Sequence, residues 1–104
     1  FLVSNAVTFP PVVREAHVVL TDTGFVPSIV SVPVGGTVTF STNRDIPFWP
    51  ASNTHPSHTI YPEFDPKHSI VAGDTWSFIF TREGDWQFHD HLRSYFTGTV
   101  HVVQ

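Results

Sequence analysis

Several short stretches of this chain alternate apolar and polar residues. The clearest is residues 37–41, where Val38 and Phe40 share one face, and Val100 and Val102 repeat the pattern near the C-terminus. Alternation of this kind gives a strand one face towards a core and one towards solvent. No stretch of about a dozen residues has the helical period. We therefore predict an all-β Greek-key sandwich or barrel of about seven strands. The length predicts a single domain over residues 1–104.

Glycine-containing turns separate the predicted strands. Gly35-Gly36 comes directly before residues 37–41 and predicts a hairpin with the segment that precedes it. Residues 83–85 predict a turn that joins residues 75–81 and 86–91 as a second antiparallel hairpin. The other predicted strands cover residues 1–9, 16–22, 25–34 and 97–103. Residues 16–22 lead into a turn at Thr23-Gly24.

Residues 43–73 form a long proline-rich insertion. Its prolines exclude helix and most ladder pairing; they are Pro47, Pro50, Pro56, Pro62 and Pro66. The same segment carries apolar residues that a disordered segment would lack, namely Phe48, Trp49, Ile60, Tyr61 and Phe64. We therefore predict an ordered loop, and a loop of this length is usually functional.

Composition excludes several classes of function. The chain has no cysteine and no methionine, so disulfides, thiolate zinc sites, iron–sulfur clusters and blue-copper thiolates are excluded. A net charge of −4 with five Lys and Arg argues against a nucleic-acid partner. No run approaches the ~20 apolar residues of a membrane span, and any export signal is presumed to have been removed. Seven histidines in 104 residues make a metal ion the first partner to consider.

Two pairs of histidines carry the metal prediction. In an extended strand, His89 and His91 share one face and Asp90 lies on the other, so both rings can reach one ion. The proline-rich loop contributes a second pair, His55 and His58. We predict that the loop covers the strand and that these four histidines form one site. Imidazole ligands suit copper best, with zinc as the alternative, and a site with three ligands bound would keep an open position.

Other residues have more ordinary interpretations. His17 and His101 occupy outward strand positions and are expected to be solvated, while His68 is a weaker candidate ligand. The three tryptophans are expected in the core rather than on a sugar-stacking surface. Asp90 points inward, must be paired there, and has Arg93 as the nearest candidate.

The chain resembles the cupredoxin family over nearly its whole length after residue 16. The resemblance is carried by residues 34–40, 43–45, 64–65, 70–78, 84–89 and 97–100. It implies a Greek-key β-sandwich, and the family is typically secreted or periplasmic. Its members usually carry blue copper and transfer electrons.

The ligands of a blue site are missing from the matching positions. In a gap-free alignment the family's cysteine falls on Asp90, its two other C-terminal ligands on Arg93 and Phe96, and its first histidine on Phe48. A second register treats residues 47–57 as inserted and keeps His58 as the first histidine. His89-Asp90-His91 is also similar to the His-Cys-His triplet of multicopper oxidases, in which the outer histidines bind other coppers.

Three functions remain open at this point. The first is a copper-binding cupredoxin-like protein with a non-blue, all-histidine site, engaged in copper binding, copper delivery or redox chemistry with a redox or metal-transfer partner. The second is a metal-free β-sandwich interaction module. The third is a zinc or copper enzyme with an open coordination position, while proton transfer without a metal is geometrically poor because His89 and Asp90 face opposite ways.

Overall fold

A computed structural model describes residues 8–53 and 61–104, in which eight strands form two four-stranded sheets. The strands are β1 (Glu15–Thr21), β2 (Gly24–Val26), β3 (Ile29–Pro33), β4 (Gly36–Thr42), β5 (Pro50–Ser52), β6 (Trp76–Phe80), β7 (Gly84–Asp90) and β8 (Arg93–Val103). One sheet has the order β2-β1-β4-β6 and the other β3-β8-β7-β5. The predicted all-β sandwich is confirmed, and no helix of the described residues could cross a membrane.

The core lies between the two sheets and follows the alternation in the sequence. Val38 and Phe40 of β4 are fully buried, as are Val100 and Val102 of β8. Phe40 contacts Phe88 of the opposite sheet with ring centroids 5.3 Å apart in an edge-to-face arrangement. The predicted inward positions are therefore confirmed in both sheets.

Both predicted hairpins are wrong, although the strands themselves exist. The β3 and β4 strands on either side of Gly35-Gly36 lie in different sheets, and so do β6 and β7. At Gly36 an added Cβ would lie 2.8 Å from the Pro33 carbonyl oxygen, so the chain folds back too tightly there for any side chain. These connections cross between the sheets. The turn at Thr23-Gly24 does join an antiparallel pair, β1 and β2.

The described part of the proline-rich insertion is ordered, as predicted. Phe48 forms a bridge with Ile70, and Tyr61 and Phe64 are buried in the core. The short strand β5 pairs with β7, which brings the insertion against the strand that carries His89. Residues 54–60 lie outside the described part.

The predicted N-terminal strand over residues 1–9 is not present at its described end. Thr8 and Phe9 are not in a strand, and residues 1–7 lie outside the described part. Of the three tryptophans, Trp86 is buried in the core and Trp76 packs against it. Trp49 is half-buried and lies beside the candidate site instead.

Candidate metal centre

The end of strand β7 is held from both sides by backbone pairing. His89 lies opposite Ala51 of β5 and Thr97 of β8, and the register shifts between His89 and Asp90. The strand ends at Asp90, so His91 begins the turn that leads to β8. The His91 amide donates to the Trp49 carbonyl oxygen at 2.7 Å, which fixes this turn against the β4–β5 connection.

Asp90 is directed inward and is completely buried. Its Oδ1 accepts hydrogen bonds from the Trp49 amide at 2.9 Å and from the Leu92 amide at 3.3 Å. Its Oδ2 lies 3.2 Å from Arg93 Nη1, and the same nitrogen donates to the Pro47 carbonyl oxygen at 3.2 Å. The predicted pairing of Asp90 with Arg93 is confirmed, and both carboxylate oxygens have partners.

His89 lies on the opposite face of the strand and is half-buried. Its Nδ1 is 2.9 Å from Asn53 Oδ1. The Asn53 amide in turn donates to the Gln87 carbonyl oxygen at 2.9 Å, so the asparagine is placed by β7 itself. One ring nitrogen is thus bonded to a carbonyl-type oxygen, and the described residues provide no hydrogen-bond partner for the second.

The surroundings of His89 favour a neutral ring. Burial lowers the pKa of His89 below its usual 6.5, the nearby His91 lowers it further, and Asp90 and Asp65 oppose this only in part. A metal ion requires an unprotonated imidazole nitrogen. The lowered pKa therefore keeps the ring in its ligating form to a more acidic pH than a free histidine would.

His91 is exposed and packs on an aromatic neighbour. Its ring centroid lies 4.6 Å from that of Trp49. Trp49 is held in turn by a hydrogen bond from its Nε1 to Asp65 Oδ1 at 2.8 Å. The ring that supports His91 is therefore anchored by the proline-rich insertion.

The two imidazoles are spaced for a shared ion. The ring centroids of His89 and His91 are 6.1 Å apart, with an interplanar angle of 51°. Two metal–nitrogen bonds of about 2 Å each, together with the two ring radii, span at most about 6 Å. The pair lies at this outer limit and makes up the described half of the predicted site. No group of three or more His, Cys, Asp or Glu residues that could hold a metal ion occurs within residues 8–53 and 61–104.

His55 and His58, the other half of the predicted site, lie outside the described residues. The second alignment register, in which His58 would face Asp90, also depends on a residue outside the described part. The site therefore stays a prediction for these two histidines.

The remaining described histidines lie apart from the pair. His17 is exposed, and His68 is exposed with Nδ1 bonded to the Ser69 carbonyl oxygen at 2.9 Å. His101 is half-buried rather than solvated as predicted, because it bonds to Asp85 and stacks on Phe9 with ring centroids 3.7 Å apart.

Sequence reasoning missed two contributors to the site, Asn53 and the Trp49–Asp65 pair. Asn53 is an isolated polar residue after a three-residue strand, and no spacing links it to His89, which is 36 positions away. The sequence predicts Trp49 in the core with the other tryptophans. Trp49 lies directly before Pro50 and two residues after Pro47, and these prolines indicate that it does not alternate as a strand residue does.

Comparison with known proteins identifies the fold. No protein-family model and no curated protein matches the sequence. Among solved structures, a purple cupredoxin from Nitrosopumilus maritimus superposes with a TM-score of 0.71 at 20% identity, over 84% of this chain and 98% of that one. A reduced amicyanin variant gives a TM-score of 0.70 at 20% identity, over 85% of this chain and 81% of that one.

A larger copper enzyme contains the same fold. The Cu-containing nitrite reductase from Thermus scotoductus SA-01 superposes with a TM-score of 0.73 at 18% identity, over 99% of this chain and 25% of the enzyme. These similarities confirm the cupredoxin fold that the sequence predicts.

Proposed function

We propose that this chain, which has the cupredoxin fold, binds a copper ion through imidazole nitrogens at a non-blue site that includes His89 and His91. The single observation that carries the proposal is the pair of rings at 6.1 Å, one of them already bonded through Nδ1 to Asn53. His55 and His58 of the proline-rich loop are proposed as the other ligands. Zinc is the alternative ion.

The inner face of β7 supports a nitrogen site over a blue one. A blue site needs a thiolate, and the chain has no cysteine. Asp90, which aligns with the family's cysteine, has both carboxylate oxygens bonded to neighbouring groups, and Arg93 contributes a positive charge at the same place. A metal cation there would be repelled by the guanidinium, whereas the outer face offers two imidazoles.

The chemistry that follows from nitrogen ligands is binding, delivery or slow redox exchange of copper. When bound, copper would supply a one-electron redox centre. The chain's own residues would hold the ion, and Asn53 and Trp49 would keep the two rings in place. We propose a periplasmic or extracellular location and a redox or metal-transfer protein as partner, as is typical of proteins with this fold.

A copper titration tests the proposal. The protein is freed of metal, titrated with Cu(II), and followed by isothermal calorimetry and EPR. We expect one equivalent to bind with a Kd below about 1 μM, which corresponds to about −8 kcal/mol. The EPR spectrum should show nitrogen hyperfine structure, and the protein solution should lack the blue colour of a copper–thiolate site.

Four variants locate the site. His89→Ala and His91→Ala should each weaken binding about 100-fold or more, because each removes one of two described ligands. His101→Ala is the matched control, since it also removes an outward histidine of the same sheet, and it should leave Kd unchanged. A double His55→Ala/His58→Ala variant tests the loop. Wild-type binding weaker than micromolar, or equal loss in His101→Ala, would contradict the proposal.

A second candidate, a metal-free interaction module, is favoured by one observation. Leu92, which follows His91 in the chain, and Tyr95 of β8 are 43% and 73% exposed, and contiguous apolar patches on a surface mark interaction sites. The titration separates the two candidates, because an interaction module would show no specific copper binding.

A further inference from the structure

Asn53 contacts a ring nitrogen of His89. Among the described residues of the proposed site, this is the only ring nitrogen with a side-chain hydrogen-bond partner. The Asn53 Oδ1 lies 2.9 Å from His89 Nδ1. Asn53 directly follows β5, and Ala51 of that strand pairs with His89, so Asn53 lies two residues beyond the position opposite His89. The backbone N–H of Asn53 donates a hydrogen bond to the Gln87 carbonyl oxygen, which limits movement of the asparagine relative to β7.

The chemistry of the two groups fixes the position of one proton. An amide oxygen can only accept a hydrogen bond, so a neutral imidazole facing it must carry its hydrogen on Nδ1. Nε2 then has a free lone pair. If the amide were turned round, its Nδ2 would donate to Nδ1, the hydrogen would sit on Nε2, and that nitrogen could not bind an ion.

We infer that Asn53 is a positioning residue that holds His89 as the Nδ1–H tautomer and presents Nε2 to an incoming metal ion. The inference rests on the proposed function for its purpose, although the tautomer itself is a property of the metal-free protein. Metal-bound histidines commonly donate their other N–H to a carbonyl or carboxylate oxygen, and loss of that partner typically weakens metal affinity by about 10- to 100-fold. Asn53 would supply that partner from the proline-rich insertion.

NMR of the metal-free protein tests the tautomer directly. Long-range ¹H–¹⁵N spectra of the imidazoles are recorded near pH ~8, where histidines are neutral. We expect the Nδ1–H form for His89 in the wild type and in Asn53→Asp, whose carboxylate also accepts. Asn53→Leu, which has a similar volume and no acceptor, should shift His89 to a mixture. A wild-type His89 in the Nε2–H form would overturn the inference.

Copper affinity tests the purpose. Asn53→Leu should weaken Cu(II) binding by about 10- to 100-fold, and Asn53→Asp should retain it or bind more tightly. Gln87→Leu is the matched control, because this exposed side chain lies two residues before His89 on the same face of β7, and it should leave Kd unchanged. An unchanged Kd in Asn53→Leu would overturn the positioning role.

The two measurements keep this inference separate from the proposed function. If the wild type shows the Nδ1–H tautomer but binds no copper tightly, the proposed function fails and the assignment of Asn53 as the partner of His89 stands. If copper binds through His89 while the tautomer is Nε2–H, the proposed function stands and the role of Asn53 fails.

Discussion

Asp90 and its two neighbours are adjacent in sequence, yet they lie in opposite environments at the end of β7. On the inner face, Asp90 is 0% exposed and bonded to two backbone amides and a guanidinium. On the outer face, His89 has one described partner and the exposed His91 ring rests on Trp49. Both oxygens of the inner carboxylate are bonded within the protein, whereas the described residues provide a side-chain hydrogen bond to only one ring nitrogen of the outer pair.

The difference shows that the end of one strand can stabilise the fold with one face and present potential ligand side chains on the other. The inner face joins the β4–β5 connection to the turn before β8, because Asp90 bonds to Trp49 and Arg93 bonds to Pro47. The outer face adds little to this framework. Substitutions on the inner face should therefore reduce stability, and those on the outer face should change binding.

The largest effect is expected from Asp90→Ala. The change leaves Arg93 buried over most of its side chain without its carboxylate, and it removes the acceptor for the Trp49 and Leu92 amides. Breaking a buried pair on one side costs about 3–5 kcal/mol. Urea unfolding measures the loss, with Asp85→Ala as control, because Asp85 is an exposed aspartate that pairs with His101. A loss in Asp90→Ala no larger than in the control would show that the inner face is not structural.

A smaller loss of stability is expected from Gly98→Ala. An added Cβ would lie 2.4 Å from Phe88 Cζ and 2.9 Å from the Ser28 carbonyl oxygen, so the core beneath β7 would be overpacked. Overpacking costs about 1–3 kcal/mol. Copper affinity should hardly change, because His89 points to the other face. Thermal unfolding and copper titration check both statements, with Thr75→Ala as control, because Thr75 is exposed and lies just before β6 of the other sheet. A large loss of affinity without loss of stability would contradict the separation of the two faces.

The smallest effect concerns the dependence of stability on pH. Burial lowers the pKa of His89 in the folded state below the value near 6.5 of the unfolded chain. As pH falls below ~6.5, the unfolded state takes up the proton first, so the free energy of unfolding decreases until pH passes below the folded pKa. His89→Gln should remove this part of the decrease. Urea unfolding between pH ~7.5 and ~5 measures it, and identical slopes in both proteins would contradict the prediction.

The sequence predicted the inward residues of the fold well, because alternation reports directly on which face of a strand is buried. Val38, Phe40, Val100 and Val102 are all buried as expected, and Asp90 with Arg93 followed from the same parity. Alternation does not report which strand lies alongside. The turn at Gly35-Gly36 therefore suggested a hairpin, whereas the chain crosses to the other sheet there.

The candidate site was predictable only in part, for a related physical reason. His89 and His91 lie two residues apart, so their proximity follows from strand geometry. Asn53 reaches His89 only because β5 pairs with β7, and this long-range pairing leaves no local pattern. Trp49 is similar, since its contacts with His91 and Asp65 depend on the path of the connection between the sheets.

The Asp90–Arg93 pair also bears on how the protein would behave when metal is withdrawn. The pair, with the bonds from Trp49 and to Pro47, ties the two connections together without any ion. A chelator such as EDTA should then remove a bound metal ion from the outer histidines without unfolding the sheets beneath them. An ion held in this way would bind to and leave a protein that is already folded, and the fold would not depend on it.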